Sequence, residues 1–91
     1  MVSLAEFDEK TGALRVTIFL YNHPGVHITK IINASGVKQK TAYAVLNLLK
    51  NAVMLDITKN PEFPYNPIYT LNQKGKQLGK LLVEAQALLE S

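Results

Sequence analysis

Apolar side chains recur at helical spacing over three stretches of this chain and form strand-like runs only briefly, which predicts a mostly helical domain with a little strand. The clearest stretch is 28–55. Thr29, a capping residue type, opens a short segment whose apolar side is Ile31, Ile32 and Ala34, and the pair Ser35-Gly36 then breaks it. Val37 follows as a core plug. Ala42, Val45, Leu46 and Leu49 form one stripe on a longer helix at about 39–51, with Lys40, Tyr43, Ala44 and Asn47 opposite it. Asn51 suits the C-cap because asparagine tolerates the left-handed conformation. Two helices around a tight glycine turn are the helix-turn-helix pattern, whose second helix commonly enters the major groove of DNA.

Upstream, 13–21 reads as a helix on which Leu14, Ile18 and Tyr21 share a face. Val16, Thr17, Ile18 and Phe19 are strand formers, and Glu9-Lys10-Thr11-Gly12 has the composition of a hairpin turn, so a strand is the alternative. Asn22-His23-Pro24-Gly25 ends the segment, since proline disfavours helix in the residue before it and glycine accepts positive φ. Downstream, 53–58 and 68–71 read as two strands around a loop, 59–67, whose three prolines prevent regular pairing. Asn72 then caps a helix reaching nearly to Ser91, with Leu78, Leu81, Leu82, Ala85, Leu88 and Leu89 recurring at three and four.

This order predicts an α+β winged helix-turn-helix: a three-helix core, a two-stranded β-wing and a long C-terminal helix, in one domain spanning 1–91. The run Tyr69-Thr70-Leu71-Asn72-Gln73-Lys74-Gly75-Lys76-Gln77-Leu78 resembles the Y-x-L-T-x-K-G-x-x-L signature of winged-helix transcription regulators of the MarR and PadR type. Asn72 stands where threonine is commoner, which keeps a capping side chain. The segment 37–49 likewise resembles their recognition helix, with Leu46 and Leu49 as the paired core leucines. Nearly the whole chain is covered, and the resemblance implies double-stranded DNA as partner, a homodimer and a role in transcription regulation. Two features depart from the family. Ala52 and Val53 occupy a region where it often has glycine, and the wing carries Lys59, Asn60 and Glu62 with Phe63 and Tyr65 instead of arginines. The helices that build a ligand pocket in longer relatives have no counterpart, so no small-molecule effector is implied.

Charge sharpens the picture. The net charge is +3, and the lysines cluster: Lys30, Lys38, Lys40, Lys50 and Lys59 in the middle, Lys74, Lys76 and Lys80 where the last helix starts, with most acids near the two ends. A basic centre between acidic ends suits a phosphate surface, although a solvated lysine face has the same composition. Gln39, Lys40, Tyr43 and Asn47 are the candidates for base edges, because Gln and Asn pair bidentately with adenine and Lys meets guanine acceptors. Lys38, Thr41, Lys50 and Thr29 are candidates for phosphate, with Lys59 and Asn60 as the wing contacts.

The 91 residues contain no cysteine, which excludes disulfides, thiolate metal sites and a cysteine nucleophile. His23 and His27 are four apart, but Pro24-Gly25 breaks any helix between them and no third ligand is near. A hydrogen-bonding role at the turn is expected there, with no metal and no cofactor. No nucleophile motif or phosphate-binding glycine loop is present, which argues against an enzyme. The apolar run 16–21 is too short to span a bilayer and the N-terminus lacks a basic region, so a cytoplasmic, nucleoid-associated protein is expected. A single core of this size is marginal. The leucines of 72–90 (Leu78, Leu81, Leu82, Ala85, Leu88 and Leu89) are therefore read as a dimer interface, the alternative being that they pack on the first helix of their own chain. Other functional readings are a protein-interaction module, whose binding salt would barely affect, and a non-specific DNA-coating protein.

Overall fold

The computed structural model describes residues 4–9, 12–62 and 66–91. Along the chain run α1 (Leu4–Glu9), α2 (Ala13–Asn22), α3 (Ile28–Ser35), α4 (Gln39–Asn51), β1 (Leu55–Thr58), β2 (Ile68–Leu71) and α5 (Gln73–Glu90). The expected winged helix is present, with α4 and β2 at their expected bounds.

One core joins all of these elements. Val16 and Leu20 of α2, Ile31 of α3, Val45, Leu46 and Leu49 of α4, and Leu55, Tyr69 and Leu71 of the wing are buried together. Phe7 of α1, a helix the sequence reading did not anticipate, joins them. The strands pair antiparallel from Leu55↔Leu71 to Thr58↔Ile68. On the other edge of β2, Val26 and Tyr69 exchange both backbone hydrogen bonds, at 3.1 and 2.8 Å, so β2 is paired on both sides.

The structure fixes which face of α2 turns inward and corrects three local expectations. The inward face of α2 is Ala13, Val16, Thr17 and Leu20, with the β-branched pair Val16-Thr17 at the centre, and the face shared by Leu14, Ile18 and Tyr21 lies beside it, Leu14 being 55% exposed. The N-cap of α3 is His27, not Thr29, because pairing of Val26 with β2 carries the chain straight into the helix, with Ile28 packed against the core. Asn51 is the last residue of α4, Ala52 is its cap, and Val53 takes the left-handed conformation at φ 59°. The first strand consequently starts at Leu55 and not at 53.

Glycines set two close approaches. Gly12, at φ 80°, starts α2, and a Cβ there would stand 2.7 Å from Cγ1 of Val37. Gly79 of α5 lies against Tyr21 of α2, where a Cβ would meet the ring at 2.8 to 2.9 Å. α2 and α5 pack intimately because glycine leaves room for that ring.

Candidate nucleic-acid interface

At 100° per residue, Gln39, Tyr43, Asn47 and Lys50 together with Lys40 and Asn51 fall within an arc of about 120° on α4. All six are exposed, whereas Ala42, Val45, Leu46, Leu48 and Leu49 behind them are buried. The helix is therefore fixed by one face and presents amides, a phenol and two cations on the other. Asn51, read from sequence as a cap, belongs to this exposed arc; its spacing of four from Asn47 was the signal that could have found it. Ala44 is half-buried, and so is Thr41, whose methyl faces Gly12.

Tyr43 stands near the wing. Burial pushes the phenol of Tyr69 above its ordinary value, and the neighbouring Tyr43 adds to the shift. Lys38 is exposed at the N-cap of α4, and Thr29 and Lys30 are exposed in the first turn of α3. In the wing Lys59 is exposed. Asn60 is half-buried and its Oδ1 accepts a hydrogen bond from the Glu62 amide at 3.0 Å, so its carbonyl side shapes the loop. Phe63 and Tyr65, read from sequence as part of the wing, lie outside the described residues.

The histidines do not converge on a metal. The His23 ring stacks on Phe19, centroids 4.6 Å apart, and among the described residues Nδ1 of His27 is buried without a hydrogen-bond partner, while at the turn the His23 amide donates to the Phe19 carbonyl at 2.9 Å and the His27 carbonyl accepts from the Ile31 amide at 3.2 Å. Among the described residues there is no group of three or more His, Asp or Glu placed to hold a metal. No helix is long and apolar enough to cross a membrane among these same residues.

On α5, Leu78 and Leu82 pack against the chain's own core, while Leu81, Ala85, Leu88 and Leu89 are exposed, the last two at 76% and 86%. Leu82, Ala85 and Leu89 form one wall of an open groove of about 470 Å³; Leu14, Ile18 and Phe19 of α2 form the other, with Ser35 at the end of α3. The Ser35 hydroxyl is buried there without a hydrogen-bond partner among the described residues.

A helix-turn-helix followed by a two-stranded wing and a closing helix defines a winged-helix fold, and solved structures share it. BpsR of Bordetella bronchiseptica matches with a TM-score of 0.79 at 21% identity, over 91% of this chain and 61% of that one. The PcaV transcriptional regulator of Streptomyces coelicolor matches with a TM-score of 0.80 at 19% identity, over 90% and 60%. AF1382 of Archaeoglobus fulgidus, which has similar length, matches with a TM-score of 0.78 at 16% identity, over 90% and 91%. This chain thus spans about 60% of the length of BpsR and PcaV. No family model and no curated protein matches it. The MarR-type resemblance in the sequence and the architecture agree at the level of fold.

Proposed function

We propose that the protein is a transcriptional regulator that binds double-stranded DNA through α4. The exposed arc of α4 carries the reading: Gln39, Lys40, Tyr43, Asn47 and Lys50 stand on a helix whose opposite side is anchored in the core. Such a helix presents hydrogen-bonding groups at a fixed angle, which major-groove readout requires. Lys38 at the N-cap of α4, Thr29 in the first turn of α3 and Lys59 in the wing, all exposed, are the proposed phosphate contacts, and Asn60 shapes the wing proposed to approach the backbone. Thr41, half-buried, is the weakest member of the proposed set.

A second copy of the chain completes the regulator. From Glu84 to Glu90 every residue of α5 is exposed, and a free helical end of this length is marginal in water. Leu81, Ala85, Leu88 and Leu89 of one copy facing the α2–α5 groove of another would bury both, with Leu78 and Leu82 supporting from beneath. Two recognition helices would then stand about 34 Å apart and read a pseudo-palindromic site. BpsR is described as regulated in its DNA binding by 6-hydroxynicotinic acid; under this proposal the apolar groove of this chain receives the partner copy.

Fluorescence anisotropy on a mixed-sequence duplex across a range of salt tests the DNA reading. Binding that falls steeply with salt, and weakens in a folded Lys40→Ala/Asn47→Ala variant, supports it. A salt-independent affinity, or none at low salt, refutes it in favour of a protein-interaction module.

A further inference from the structure

The end of α4 is closed in an unusual way. The Met54 amide donates to the Leu49 carbonyl at 2.9 Å and the Val53 amide to the Lys50 carbonyl at 3.0 Å, the two bonds of a Schellman motif. That motif puts Val53 at φ 59°. Glycine usually occupies this position, and a β-branched side chain is strained there by the clash of its Cβ with the following carbonyl. Burial does not compensate, since Val53 is 69% exposed.

Compensation comes from the start of α5. Asn72 Nδ2 donates to the Val53 carbonyl at 2.8 Å, and Lys74 Nζ donates to the Ala52 carbonyl at 3.0 Å. The Asn72 backbone amide donates to the Met54 carbonyl at 2.9 Å. Three consecutive carbonyls at the exit of α4 are thus held by two residues at the entrance of α5. Asn72 also caps α5, its Oδ1 accepting from the Gly75 amide at 2.9 Å. A carboxamide supplies an acceptor and a separate donor on one rigid plane, whereas threonine has one oxygen for both tasks. Two sequence features, Val53 in a region where the family often has glycine and Asn72 where threonine is commoner, therefore answer each other. Lys74, counted in the basic cluster by sequence, places its charge at the negative end of α4.

We infer that Asn72 and Lys74 are positioning residues for the recognition face: they fix the angle between α4 and the wing through the carbonyls of Ala52, Val53 and Met54, without reaching the nucleic acid. The inference rests on the DNA reading above. Its test measures Asn72→Thr, Val53→Gly, their combination and Lys74→Met by anisotropy on a mixed-sequence duplex at several salt concentrations, far below each Tm, beside thermal unfolding. Asn72→Thr is expected to raise Kd about fivefold, and Val53→Gly to restore most of that loss, because glycine holds the left-handed turn unaided. Lys74→Met is expected to weaken binding about threefold with the slope of log K against log salt unchanged.

Additive effects of Asn72→Thr and Val53→Gly would overturn the linkage. A slope reduced by about 0.9 in Lys74→Met would make that lysine a direct phosphate contact and overturn its positioning role. A wild-type protein that binds no duplex overturns the DNA reading and the positioning role with it. The Tm values of the same four proteins then decide the clamp alone: rescue of Asn72→Thr by Val53→Gly supports it, and additivity refutes it.

Discussion

Replacing Gly75 by alanine sets two physical effects against each other. Gly75 lies in the first turn of α5, where alanine is worth up to ~1 kcal/mol over glycine in helix propensity. A Cβ at this position, however, would run into the backbone carbonyl oxygen of Met54 and stand 3.0 to 3.1 Å from the Leu71 side chain. That carbonyl cannot rotate away, because it accepts the Asn72 amide at the base of the wing. Overpacking of this kind costs about 1–3 kcal/mol, and loss of the Asn72–Met54 hydrogen bond adds about 1 kcal/mol. The net expectation for Gly75→Ala is a loss of about 1–3 kcal/mol and a fall in Tm of roughly 4–8 °C per kcal/mol. Urea and thermal unfolding by circular dichroism measure it. Gly36→Ala is the control: nothing lies within 4 Å of a Cβ there, so only the left-handed φ of 69° is penalised, by about 1 kcal/mol. A Gly75→Ala protein as stable as the parent would refute the close approach of α5 to the α4 exit.

Gly12→Ala meets both obstacles at once, a φ of 80° and Val37 at 2.7 Å, and is expected to cost about 2–4 kcal/mol in chemical unfolding. Leu88→Glu/Leu89→Glu is expected to convert a dimer into a folded monomer in analytical ultracentrifugation, because these exposed side chains contribute little to the chain's own core. An unchanged sedimentation coefficient would reject the α5 interface. Tyr69 gives a pH signature. Its phenol is raised from 10.0 in the fold, chiefly by burial, so the stability it contributes is complete below pH 10 and lost as pH rises through the folded value. Tyr69→Phe should flatten the decline in unfolding free energy above pH 10, and an identical decline in both proteins would contradict that assignment.

The helix-turn-helix was legible because each boundary has a chemical cause visible in the chain. Pro24-Gly25 stops α2, Gly36 turns α3 into Val37, and the spacing of Ala42, Val45, Leu46 and Leu49 orients α4. The N-cap Asn72 was legible for the same reason. Misreadings arose where tertiary contacts outweighed local preference. The shared face of Leu14, Ile18 and Tyr21 was legible, but not which face of α2 turns inward: Val16 and Thr17 take the centre and leave Leu14 to line the groove. Thr29 has a capping side chain, yet pairing of Val26 with Tyr69 starts α3 earlier. Val53 reads as strand by propensity, and only the Schellman closure of α4 puts it at positive φ. The leucine spacing on α5 could not separate Leu78 and Leu82, which pack inward, from Leu81, Leu88 and Leu89, which do not. That division depends on where α2 lies.

Nitrogen-15 NMR of the protein titrated with a duplex tests the central claim most directly, since it maps the contact face residue by residue. Shifts concentrated at Thr29 and Lys30, at Lys38 to Asn51 along the exposed arc of α4, and at Lys59 and Asn60 are the predicted result. Shifts confined to Leu81–Leu89 of α5, or a spectrum unchanged at saturating duplex and low salt, would contradict the account.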